Sequence, residues 1–166
     1  MNTFAIFGIG VLMSFVSSVL IAQLYVWPRL RGVDRESGLI PLVAPHMFFR
    51  FIGLSFLVPG VVSPTLPAAF ANPAAYGDLV AGLLAIIAAV ALFKRAPWAI
   101  AAVWVFNIWG AADLLFALYQ GPHVGIGPGA LGAAFYIPTS LVPPLLVTHF
   151  LIFRLLLPHR REAPHG

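Results

Sequence analysis

Ionisable side chains are scarce in this chain, and several recur at helical spacing inside apolar stretches. His46 and Arg50 are four residues apart, on one face of a helix, and Gly53 continues that face. Asn107, Gly110 and Asp113 follow at intervals of three and span about a third of a helix circumference. His149 stands in the last apolar stretch. In lipid such groups are expensive and need named partners. Three kinds of chemistry fit them. Arg50 and the histidines could be structural, satisfying carbonyls and bonding between helices. They could instead grip the polar head of an apolar ligand, a quinone or a lipid, with Phe48, Phe49, Phe51 and Phe150 lining its body. Or His46 and His149 could be the axial ligands of a b-type haem. Arg50 would then need a propionate to pair with.

The elements that position these residues follow from hydropathy. Of the 166 residues, 61% are hydrophobic and 8% charged, and the mean hydropathy is +0.98. Soluble domains average about 25% charged residues, so this composition cannot cover a water-exposed surface. A helix needs about 20 apolar residues to cross the hydrocarbon core. Five such stretches are present, at about 4–27, 42–62, 76–94, 97–119 and 130–157. The expected fold is all-α: a polytopic membrane bundle in one domain, residues 1–158, with a cytoplasmic tail at 159–166.

Basic residues fall in or beside alternate connectors. Arg29, Arg31 and Arg35 follow the first stretch, Lys94 and Arg95 the third, and Arg154, Arg160 and Arg161 mark the end of the fifth. The other connectors have no Lys or Arg. By the positive-inside rule the N-terminus is outside and the C-terminus cytoplasmic. The net charge of +4 therefore speaks for orientation and anionic headgroups rather than nucleic acid. Phe4 to Trp27 has no basic n-region and exceeds a usual signal h-region, which predicts a retained membrane span.

This topology sets depths at 1.5 Å of rise per residue. His46, Arg50 and His149 come to a similar depth in the inner half. Asp113 lies in the outer half, about 11 Å from Arg50 by that rise. A direct pair would need helix tilt or a water, with Asn107 as a bridge. A buried Asp there must be neutral or paired. Asp78 falls in the first turn of the predicted third helix, where the macrodipole favours an acid. Tyr76 and Gly77 mark its outer boundary. Gly10, Ser14, Ser18 and Ala22 form a ladder of small residues on the first helix, either an internal packing face or a homodimer seam. Pro138, Pro143 and Pro144 must kink or break the last helix. His123 reads as a solvated loop residue.

Enzymatic signals are missing. With no cysteine there is no thiolate metal site, iron–sulfur cluster or cysteine nucleophile. No G-x-S-x-G, H-E-x-x-H or phosphate loop occurs. The expectation is a non-catalytic module that binds a quinone- or lipid-like ligand or a partner membrane subunit. His46, Arg50 and His149 would face Asn107 and Asp113. The alternatives are a small haem electron carrier and a proton-linked permease dependent on Asp113. The cofactor, quinone or haem, is left open. Partners are the bilayer and a membrane subunit or second copy.

RFIGLSFLVPG, residues 50–60, resembles the opening helix of the DoxX-like membrane proteins, with its Arg, Gly-Leu and later Gly. YGDLVAGLLAIIAAVALF, residues 76–93, is similar to that family's second helix, where an acidic residue lies near a glycine. The resemblance covers helices 2 to 5. It implies a small bacterial inner-membrane protein in a family linked to quinone-coupled redox complexes, and it singles out Arg50 and Asp78.

Overall fold

The computed structural model describes residues 2–157. Five helices are long and apolar enough to cross a membrane: α1 (Thr3–Leu30), α2 (Arg35–Leu57), α3 (Ala68–Phe93), α4 (Ala99–His123) and α5 (Ile137–Leu156). No β-strand occurs among the described residues, only an isolated bridge between Pro59 and Val62. The proposed tail at 159–166 lies outside the described residues.

Helix α2 starts earlier than hydropathy suggested, because Asp34 caps it by accepting a hydrogen bond from the Ser37 amide (3.0 Å). It also ends earlier. From Arg50 to Leu57 the chain tightens into a 3-10 helix. At three residues per turn, Arg50, Gly53 and Phe56 stack on one line, and these are the buried residues of that segment.

Helix α3 begins eight residues before the predicted 76, at Ala68. Its buried face runs Ala71, Ala74, Ala75, Asp78, Ala81, Gly82, Ala85 and Ala88. Such a stripe of small residues lets α2 and α4 approach closely. Pro73, one turn in, removes the bond that the Ala69 carbonyl would accept. The Gln120 side-chain amide of α4 donates to that carbonyl instead (2.7 Å). Helix α4 runs four residues beyond the expected 119, to His123.

The predicted helix at 130–157 is two pieces. A 3-10 segment, Pro128–Phe135, precedes α5 and has Gly132 at φ 54°. The carbonyl of Val61 abuts that glycine and accepts from the Ala133 amide (2.7 Å), so only glycine fits there. Helix α5 opens with a π-helical turn, Ile137–Leu141, just before Pro143 and Pro144. The wider turn absorbs the hydrogen bonds that the two prolines cannot make.

Helix α1 lies along α5 and has few fully buried residues. Its small-residue ladder faces inward. Gly10 is against Thr139 of α5, and Ala22 is buried. The ladder is thus used within the chain.

Candidate functional site

Four helices converge on one guanidinium. Arg50 is 1% exposed, at the point where α2 changes from α to 3-10 geometry. Its Nη1 donates to Asp78 Oδ1 of α3 (2.5 Å) and to Asp113 Oδ2 of α4 (2.8 Å). Its Nη2 donates to the Gly110 carbonyl and to His149 Nε2 of α5 (3.1 Å). Nε has no partner. A guanidinium holds five N–H donors in a fixed fork, so four are committed here.

The histidine tautomers follow from these partners. His149 accepts at Nε2, so its proton is on Nδ1, which donates to Asn107 Oδ1 (2.6 Å). Asn107 Nδ2 donates back to the His149 carbonyl (3.2 Å), which fixes the amide orientation. Thr148 gives its hydroxyl proton to the Leu145 carbonyl (2.8 Å), so His46 Nε2–H donates to Thr148 Oγ1 (2.8 Å). His46 Nδ1 is then a buried lone pair without a partner among the described residues. The His46 and His149 ring centroids are 4.3 Å apart, and both rings lie against Phe106.

Glycines make the space for this network. A Cβ on Gly53 would overlap the Asp78 side chain, and one on Gly77 would overlap the Asp113 carboxylate. A Cβ on Gly110 would stand 2.6 Å from His149 Cε1 and 3.0 Å from Arg50 Nη2. Each of α2, α3 and α4 thus gives up one side chain so that its neighbour's polar group can reach the centre.

Above the carboxylates lies a cavity of about 490 Å³. Among the described residues, Asp78 and Asp113 are its only ionisable lining residues, and its walls include Phe4, Phe7, Phe56, Phe70 and Leu114. It occupies the end of the bundle opposite the basic connectors, between the start of α1, the end of α4 and the Pro128–Phe135 segment.

The structure brings His46, Arg50, Asn107, Asp113 and His149 into one cluster, and it alters several roles. Asp78 is not a helix-start residue. Helix α3 begins ten residues earlier, and Asp78 is one half of the central ion pair. Gly77 is a packing position, not a boundary. Arg50 and Asp113 bond directly, without a bridging water: α2 and α4 both pack on α3, and Gly77 of α3 leaves room for the Asp113 carboxylate beside the guanidinium. The aromatic wall is a different set. Phe48 and Phe150 face outward at 69% and 65% exposure. Phe51 packs on Gly82. A haem does not fit between His46 and His149. Axial imidazoles stand on opposite faces of the macrocycle, whereas these rings touch and hold other partners. No group of three or more His, Asp or Glu side chains able to hold a metal occurs among the described residues. A sequence signal for Asp78 did exist. It shares the period of the alanine stripe from Ala71 to Ala88, which an earlier helix start would have exposed.

Residues 6–157 match a family described as a domain of unknown function, DUF8737. The chain belongs to that family. No curated protein and no solved structure matches the chain. The matched segment takes in α1 from residue 6 and the other four helices whole, so the Arg50 network and the cavity lining other than Phe4 lie within it.

Proposed function

We propose that this DUF8737 protein is a non-catalytic module of a bacterial-type inner membrane, N-terminus outside. It binds an apolar molecule through a hydrogen-donating head. The observation that carries this reading is the cavity. Two carboxylates form the polar floor of an otherwise apolar space, while four of the five Arg50 donors are already committed to protein acceptors. Pockets of this kind use a few convergent polar groups to orient an apolar ligand. A quinol hydroxyl or the head of a neutral lipid supplies the donor, and its apolar body meets Phe7, Phe56 and Phe70. The likeness of helices α2 and α3 to DoxX-like proteins supports the reading, since Arg50 and Asp78 are the positions it singles out.

The test is solvent extraction of the protein purified in mild detergent, followed by mass spectrometry. One apolar species is expected in near-stoichiometric amount in the native protein and absent from Leu114→Trp, which fills the cavity. Equal recovery from both would refute cavity binding. Orientation is checked by maleimide labelling in intact cells, which the cysteine-free background permits. His123→Cys should react with an impermeant reagent and Gly32→Cys should not.

One observation favours a second reading, the proton-linked permease. Arg50 balances only one of the two carboxylates it binds, which leaves a negative charge for a proton or cation facing the cavity. Uptake into liposomes that depends on a pH gradient and fails in Asp113→Asn would replace the binding-module reading.

A further inference from the structure

A second concavity lies on the flank of the bundle, away from the Arg50 network's carboxylates. It is a groove of about 880 Å³ between α1 and α4, floored by α5. Its apolar length is lined by Phe15, Val19, Leu115, Leu146 and Phe150. One end carries Arg31 and Arg154. Arg154 sits 3.8 Å above the Trp27 ring, and Arg31 lies 5.9 Å from the same ring. Neither arginine has a carboxylate within ion-pair distance among the described residues. This is the end of the bundle that also holds Arg29, Arg35, Lys94 and Arg95.

We infer that this groove is a binding site for one anionic phospholipid. The phosphate would lie between Arg31 and Arg154 and one acyl chain along the groove. Three features carry the inference. The charge is complementary: among the described residues the mouth holds two arginines with no carboxylate partner, and the lining has no acid. The length also fits. Leu146 to Arg154 is eight helical steps, about 12 Å of helix, and one leaflet of hydrocarbon is about 15 Å thick. The site is also built. Trp27 is 8% exposed and holds the Arg154 guanidinium over its face, so the cation is positioned before a lipid arrives. Guanidinium suits phosphate because its fork matches two oxygens.

The experiment is a native mass spectrometry titration of the full chain in mild detergent. The probes are palmitoyl-oleoyl phosphatidylglycerol and the matching phosphatidylcholine. Two arginines at the surface, at about 1 kcal/mol each, convert at 1.4 kcal/mol per decade to about a 30-fold preference for the glycerol lipid. One molecule per chain should bind with that preference. Arg31→Gln with Arg154→Gln should reduce it to less than about threefold. Arg35→Gln with Lys94→Gln removes the same charge from the same end and should preserve it. Ala111→Trp fills the groove while keeping both arginines, and should abolish tight binding. If that variant does not fold, Leu115→Trp on the same wall, 58% exposed, replaces it. Equal affinity for the two lipids, equal loss in both double variants, or unchanged binding after filling the groove would each overturn the inference.

Discussion

Gly77→Ala puts the geometry of the polar centre in direct conflict with helix propensity. Gly77 is inside α3, where replacing Gly by Ala ordinarily stabilises a helix by about 1 kcal/mol. The structure gives the opposite sign. The new methyl would occupy the position of Asp113 Oδ1, so the carboxylate must swing away from Arg50. A charge-assisted hydrogen bond to a buried guanidinium is worth up to about 3 kcal/mol. After the propensity gain, a net loss of about 2 kcal/mol remains. For a chain of this size that lowers Tm by about 4–8 °C, read from tryptophan fluorescence during heating in detergent. Gly8→Ala is the control, since nothing lies within 4 Å of a Cβ there. It should be neutral or slightly stabilising. Asp113→Ser in the Gly77→Ala background should recover part of the loss, because the clashing oxygen is gone. The two substitutions are then coupled rather than additive. Gly77→Ala melting at or above Gly8→Ala would refute the claim that this glycine exists to seat Asp113.

The remaining predictions concern charge, capping and pH. Arg50→Met leaves two buried carboxylates without a cation and should cost at least about 3–5 kcal/mol, whereas Arg50→Met with Asp78→Leu and Asp113→Leu should recover most of it. Thermal melts of the two proteins side by side decide this. Gln120→Ala orphans the Ala69 carbonyl and should cost about 1 kcal/mol, while the same change in a Pro73→Ala background should cost less, since an amide then returns to that carbonyl. The side-chain and backbone hydrogen bonds from Ser37 hold the Asp34 carboxyl below its ordinary value. A lowered folded value means that the cap stabilises above the unfolded carboxyl pKa of about 3.9 and is lost as pH falls through the folded one. Asp34→Ser should remove that part of the acid limb, and an unchanged limb in melts between pH 2 and 5 would disprove it.

How much was legible differed between the bundle and its centre. The five spans were readable because hydropathy over about 20 residues depends on composition, not on neighbours. Their ends were less so. Capping by Asp34, the Pro73 start of α3 with its outside donor Gln120, and the left-handed Gly132 are local or cross-chain events that a hydropathy window averages away. The residues of the centre were mostly visible as misfits in lipid. Asp78 was misplaced because an early helix start was hidden behind the proline-rich segment VSPTLPAAFANPA.

The sequence alone determined that this chain has five stretches long and apolar enough to cross a membrane, and that Arg50, Asn107, Asp113 and the two histidines within them needed partners. Composition and the cost of burying charge are properties of single residues and short windows. Which groups became partners was decided only by tertiary structure. Arg50 reaches both Asp78 and Asp113 because a 3-10 turn aims it and three glycines on three helices leave room. The cavity over the carboxylates and the groove beside Trp27 exist because α1 and the broken start of α5 stand where they do. Distances between helices come from side chains far apart in sequence that pack against one another, and no local pattern encodes them.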